Sequence, residues 1–200
     1  MSGKKIAFFD FDGTITTKDT LAENVRFLKG RVPVYIGFLL LFPWIIAYKL
    51  GLYPNDLAKQ KVLRYFLSGM EQSIFQAKAD EFAETKLPAL IRPKALEEIE
   101  RLKKEGFEIV IVSGSAESWV SLWTAKLGLH LIATRLEVIN GKMTGNIEGE
   151  NCYGQQKVVC IRKEFDLGKY DEVYAYGDTS GDKPMLALAT KSFYKPFRTI

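Results

Sequence analysis

The chain repeats one unit: a short run of apolar, strand-forming residues, a polar cluster directly behind it, then a helical stretch. Lys4–Phe9 runs into Asp10-Phe11-Asp12-Gly13-Thr14, Glu108–Val112 into Ser113-Gly114-Ser115, and Glu172–Tyr176 into Gly177-Asp178-Thr179-Ser180-Gly181-Asp182. Strands alternating with helices predict a parallel sheet, because parallel neighbours need a crossover and the crossover helices cover both faces. In such sheets ligands bind beyond the carboxyl ends of the strands, which is where all three polar clusters fall.

Other signals fill in the frame. Pro93 opens an amphipathic helix with Ala95, Leu96, Ile99 and Leu102 on one face and Gly106 just past its end. A second helix carries Leu122 and Leu127, with Trp119 and Trp123 at i, i+4 spacing as core residues, and Gly128 closes it. Leu131–Ala133 reads as a strand, and Asn140-Gly141 between Leu136–Ile139 and Lys142–Thr144 as a hairpin. Helices are expected over Gln155–Phe165 and Lys183–Ala189. Between about Leu21 and Leu90 the alternation gives way to mostly helical sequence. The predicted architecture is α/β, a Rossmann-like parallel sheet with helices on both faces plus a helical cap inserted after the first strand. Residues 1–20 and 91–200 form the core and residues 21–90 the cap.

The 200 residues are 47% hydrophobic and 26% charged, the balance of a soluble globular domain, which excludes a disordered chain, a collagen-like repeat and a polytopic membrane protein. A net charge of +4 suits anionic ligands but falls short of a nucleic-acid footprint, so no nucleic-acid partner is expected. Cys152 and Cys160 are too few for a disulfide scaffold and read as reduced thiols. With no signal peptide ahead of the first strand, the setting is expected to be cytoplasmic. His130, the only histidine, is given a structural or surface role.

If the strands are neighbours, Asp10, Asp12, Asp178 and Asp182 meet in one crevice. Two like charges about 4 Å apart repel by roughly 4 kcal/mol at an effective dielectric of about 20. Either some of these groups hold protons or a hard cation sits among them, and all-oxygen ligands favour Mg²⁺. A lone Asp after a strand is usually a helix cap or turn former. Two acidic motifs in that context favour a metal site.

These segments resemble the haloacid dehalogenase superfamily. Asp10-Phe11-Asp12-Gly13-Thr14-Ile15-Thr16 looks like its first motif, Ser113 its second, Lys157 its third and Gly177–Asp182 its fourth. The insert with Asp19-Thr20, and Asn151–Val158 around Lys157, resemble the phosphoserine phosphatase-like branch, subfamily IB, with some likeness to bacterial phosphatidylglycerophosphatases. The resemblance implies a Mg²⁺-dependent phosphatase. Asp10 would be the nucleophile that forms an aspartyl-phosphate, and Asp12 the acid and base for the leaving group and water. Asp10, Asp12, Asp178 and Asp182 would serve the metal, Ser113 and Gly114 would bind phosphoryl oxygens, and Lys157 would neutralise transition-state charge. The expected substrate is a small phosphorylated metabolite or a lipid phosphate. Phosphatidylglycerophosphate at a membrane surface, phosphoserine, and transfer to an acceptor other than water stay open. Asp19, just ahead of the cap, and Lys61 and Arg64 within it are the specificity candidates.

Within the insert, Val32–Tyr48 holds no charged residue, and residues 26–65 carry seven basic side chains against one acid, Asp56. Pro43 is expected to interrupt this segment, which argues against a transmembrane span. The favoured reading is that Val32–Tyr48 forms the buried core of the cap. Peripheral contact with an anionic membrane, on the inner face, remains open because apolar residues flanked by Trp, Tyr and Lys/Arg suit an interface.

Overall fold

The computed structural model describes residues 3–198. Six strands, β1 (Lys4–Phe9), β2 (Phe107–Ala116), β3 (His130–Ile139), β4 (Lys142–Glu148), β5 (Tyr170–Gly177) and β6 (Lys191–Tyr194), form one sheet in the order β4-β3-β2-β1-β5-β6. All neighbours are parallel except the β3–β4 hairpin, where Ile139 faces Lys142 across Asn140-Gly141. The helices are α1 (Thr20–Lys29), α2 (Arg31–Lys49), α3 (Asn55–Leu67), α4 (Gln72–Thr85), α5 (Pro93–Lys104), α6 (Glu117–Lys126), α7 (Gln155–Glu164) and α8 (Lys183–Leu186).

Side-chain alternation sorts the sheet into two buried faces. Ile6, Phe8, Val110, Val112 and Ala175 pack against Ile161 of α7 and Met185 of α8. Ala7, Phe9, Ile109 and Ile111 pack on the other side with Ile99 and Leu102 of α5 and Trp119 of α6. Across β1, β5 and β6 the rings of Phe9, Tyr176 and Phe193 stack at 4.1 Å and 4.5 Å. The sheet reverses its winding at β1, with β2 on one side and β5 on the other, so the loops after these strands frame the crevice.

Four elements differ from the sequence reading. Leu131–Ala133 and Leu136–Ile139 are parts of the one strand β3. β6 is an additional edge strand of four residues, three of them exposed, too short to show a pattern. The last helix ends at Leu186, not Ala189, because the chain tightens there to i+3 bonds from Leu188 to Met185 and Ala189 to Leu186. The loop expected after the second strand belongs to β2, whose pairing with β3 slips between Ser113 and Ala116.

Helices α1–α4 lie between β1 and β2 in the chain. Their entry and exit are tied together, since Thr17 N donates to Leu90 O at 2.8 Å and Arg92 N to Ile15 O at 2.8 Å. Val62, Leu63, Phe66 and Leu67 of α3 with Phe75, Ala79 and Phe82 of α4 supply most of their core. The expectation for Val32–Tyr48 is corrected on two points. α2 runs unbroken through Pro43, which sits on an exposed side where water can serve the carbonyl left without a donor. And only Val34, Gly37 and Leu41 of the segment are buried, whereas Val32, Tyr35 and Leu39 are 68%, 66% and 73% exposed. The packed side is narrow because Gly37 lies against the rings of Tyr65 and Phe66, where a Cβ would fall 2.4 Å from Phe66 Cζ.

Candidate active site

Asp10 follows the last residue of β1, and its N–H donates to Tyr176 O on β5 at 2.9 Å, which fixes the first carboxylate at the mouth of the sheet. The chain then turns through Gly13 at φ +82°, a left-handed conformation that glycine adopts without strain. This turn returns Thr14 to the site, where its hydroxyl donates to Asp10 Oδ2 at 2.9 Å and lies 3.4 Å from Asp178 Oδ1. From the first turn of α7, Lys157 Nζ sits 2.5 Å from Asp10 Oδ1 and 2.7 Å from Asp182 Oδ1. Asp182 is held in turn by the Asp178 and Thr179 amides and the Thr179 hydroxyl on its Oδ2. Oxygens of Asp10, Asp178 and Asp182 lie within 4.8 Å of one another.

Burial raises the Asp10 carboxyl to about 7 despite the nearby Lys157 charge. Burial and the Asp182 charge also raise Asp178, although Arg198 pairs with it at 2.6 Å. For Asp182 burial works upward, but Lys157 and the Thr179 donors outweigh it and hold the group below the usual carboxylate range. Burial works against the Lys157 ammonium, yet Asp10 and Asp182 together hold it above the ordinary lysine value. The cluster is thus short of positive charge, and its all-oxygen donor set fits a hard divalent cation.

Asp12 points to a different set of partners. Its Oδ1 accepts from Thr20 N at 2.7 Å and its Oδ2 from the Ser115 hydroxyl at 2.5 Å. Burial and the Asp19 charge raise it to about 6, with those donors acting the other way. Ser113 is fully buried, its Oγ accepting from Ser115 N at 2.9 Å, while Gly114 and Ser115 line the crevice.

The crevice encloses about 820 Å³, and the helical insert gives it an apolar wall that includes Leu21, Phe38, Ile45 and Val62. Asp19 caps α1 through Ala22 N and stands in the lining. Lys61 and Arg64 do not reach it: Lys61 Nζ lies over the Trp44 ring and Arg64 Nε donates to Asn146 Oδ1 on β4. The insert instead sends in Lys59, whose Nζ donates to the Gly114 carbonyl and, at 2.9 Å, to Asn151 Oδ1. Burial lowers this ammonium to about 8. Helix phase could have identified Lys59, since it shares the i, i+3, i+7 stripe of Val62 and Phe66, and Lys61 does not. Ser115 stood within a cluster that the sequence marks, whereas Arg198 lies in the chain's end with no local signal. His130 pairs with Glu164 at 2.6 Å, away from the crevice.

Residues 7–187 match the family model for haloacid dehalogenase-like hydrolases. Protein CicA of Caulobacter vibrioides is 38% identical over 192 residues, covering 95% of this chain and 85% of that protein. A phosphoserine phosphatase of Methanocaldococcus jannaschii is 28% identical over 93% of this chain and 82% of its own length. A crystal structure of a protein of unknown function from Bordetella pertussis superposes with a TM-score of 0.82 at 23% identity, covering 96% of this chain and 89% of that one. The chain belongs to the haloacid dehalogenase-like hydrolase family.

Proposed function

We propose that this hydrolase is a Mg²⁺-dependent phosphatase of phosphomonoesters, of the phosphoserine phosphatase-like branch, that works through an aspartyl-phosphate on Asp10. The observation that carries the reading is Lys157 Nζ lodged between Asp10 and Asp182, with Asp178 beside them at the ends of neighbouring strands. A carboxylate of Asp10 attacks phosphorus and the bond to the leaving oxygen breaks. Asp12, kept protonated to higher pH than an ordinary aspartate, delivers its proton to that oxygen. In the second half, Asp12 takes a proton from the incoming water, the new oxygen–phosphorus bond forms, and Asp10 leaves as carboxylate. Lys157 offsets charge on Asp10 and the phosphoryl group throughout. The Ser113 hydroxyl, which accepts from Ser115 N, keeps its own hydrogen for a phosphoryl oxygen, and the Gly114 amide is a second donor. Asp10, Asp178, Asp182 and the backbone of Asp12 would hold Mg²⁺, which would supply positive charge to the phosphoryl oxygens.

Residues 21–90 act as the cap over a core of residues 1–20 and 91–200, of which 1–2 and 199–200 lie outside the described residues. The substrate is a small phosphorylated metabolite or a lipid phosphate met in the cytoplasm, chosen by the cap wall with Asp19 and Lys59. Phosphate release from a panel of sugar phosphates, phosphoserine and a micellar lipid phosphate, with Asp10→Asn as blank, tests this. Mg²⁺-dependent release that the blank lacks supports the reading, and no release from a folded protein overturns it.

A further inference from the structure

α2 presents an apolar face with nothing among the described residues packed on it. Val32, Tyr35, Ile36, Leu39, Leu40 and Phe42 are each more than half exposed, and Leu50 and Leu52 continue the surface beyond the helix at 68% and 77%. Scattered exposed apolar residues are ordinary, but a continuous stretch of this kind marks an interaction surface. Charge decides what it faces. Arg31 and Lys49 stand exposed at the two ends of α2, and no acidic residue occurs between Glu23 and Asp56. Lys61 Nζ lies 4.8 Å over the ring of Trp44, which is itself 38% exposed.

We infer that the outward face of α2 docks on the anionic surface of a lipid bilayer. A second copy fits poorly, because pairing two α2 faces about a twofold axis brings Arg31 and Lys49 of both chains onto one surface with no acid in the segment to answer them. An anionic headgroup layer answers both features at once: hydrocarbon for the leucines and phenylalanine, negative charge for the ends. The helix is long and apolar enough to cross a membrane by composition. It lies flat instead, because its other side is committed to the protein. Val34, Gly37 and Leu41 are buried, and the Phe38 ring packs at 5.8 Å from that of Phe66. That inner side also supplies Phe38, Ile45 and Tyr48 to the crevice wall, so docking sets the crevice beside the headgroups. Binding requires no turnover, so this inference stands apart from the hydrolytic reading.

The test is co-sedimentation of the full chain with vesicles of mixed phosphatidylglycerol and phosphatidylcholine, beside vesicles of phosphatidylcholine alone. The variants are Leu39→Asp with Phe42→Asp, two exposed positions outside the crevice lining, and separately Arg31→Gln. The wild type pellets with the anionic vesicles, and the double variant falls about tenfold while its far-ultraviolet dichroism and its hydrolysis of p-nitrophenyl phosphate are unchanged. Arg31→Gln, which keeps the apolar face, weakens binding to the anionic vesicles and not to the neutral ones. Should the double variant not fold, quenching of tryptophan emission by brominated lipid, lost in Trp44→Phe, reads the same contact in a folded protein. Wild type that stays in the supernatant, or equal pelleting of wild type and double variant, overturns the inference. So does a wild-type dimer that the double variant dissociates in the absence of vesicle binding.

Discussion

The Ser115 hydroxyl donates to Asp12 Oδ2 at 2.5 Å, so a residue of β2 sets the second carboxylate of the loop after β1. Behind it runs a relay: Trp119 Nε1 donates to Thr20 Oγ1 at 3.0 Å, and Thr20 Oγ1 lies 2.9 Å from Ser115 Oγ. With the Ser115 hydrogen on Asp12, Thr20 is the donor in that second contact. Indole, two hydroxyls and carboxylate thus form one directed chain.

Two substitutions shift Asp12 in opposite senses. The Asp19 charge raises the Asp12 carboxyl and the Ser115 hydrogen bond lowers it. As proton donor, Asp12 is active below its pKa, so the rate falls as pH rises through about 6. Asp19→Asn moves that falling limb to lower pH, and Ser115→Ala moves it to higher pH with about a tenfold loss of kcat. A kcat profile against pH for a substrate with a poor leaving group checks both. Parallel shifts in the two variants would remove Asp12 from the role.

On the proposed metal site, a divalent cation is expected to stabilise the fold before any chemistry. With burial raising Asp10 to about 7 and Asp178 also raised, added positive charge favours the folded state's ionised carboxylates. At a concentration about 100 times its Kd, Mg²⁺ adds about 2.7 kcal/mol, or roughly 5–10 °C in Tm for a chain of this size. Asp178→Asn abolishes the shift in a thermal melt, and a chelator reverses it in the wild type. A wild-type Tm indifferent to Mg²⁺ would remove the ion from this cluster.

Legibility in the sequence followed the range of the interactions. β1 and β2 could be read because each is a run of buried residues, and the β3–β4 turn because Asn140-Gly141 takes positive φ at both positions. The clusters around Asp10, Ser113 and Asp178 were legible for the same reason, since each directly follows or ends a strand. α2 was not. Val32–Tyr48 is apolar at nearly every position, so no stripe distinguishes the three buried residues from those that face outward. Helix phase puts Lys59 on the packed stripe of α3, but its partners Gly114 and Asn151 lie 55 and 92 residues away, and only the folded chain shows that it reaches them.

Removing Lys157 breaks the most buried ion pair of the site. The side chain is 1% exposed, and Lys157→Met leaves Asp10 and Asp182 facing each other without it. Breaking such a pair costs about 3–5 kcal/mol. The pH dependence has a definite sign. Without the ammonium Asp10 rises further above its unfolded value and Asp182 loses the partner that holds it below its own, so the native state binds more protons than in wild type and the penalty grows with pH. The urea midpoint of Lys157→Met falls furthest behind wild type above about pH 7 and recovers toward it near about pH 4. Phosphate release is lost at every pH.

Gly13 separates a backbone effect from a site effect. Its φ is +82°, and a Cβ there would stand 2.5 Å from Asp178 Oδ2. Gly141, at φ +75°, has the same backbone requirement but nothing within 4 Å of its Cβ position. Either alanine costs about 1–2 kcal/mol through the left-handed conformation. Only Gly13→Ala also pushes the Asp178 carboxylate, and a displacement of about 1 Å at a reacting site lowers the rate on the order of 100-fold. The two variants therefore match in unfolding free energy from urea titration to within about 1 kcal/mol and part in phosphate release, with Gly141→Ala near wild type. Equal loss of activity in both would place the effect in stability rather than in the position of Asp178.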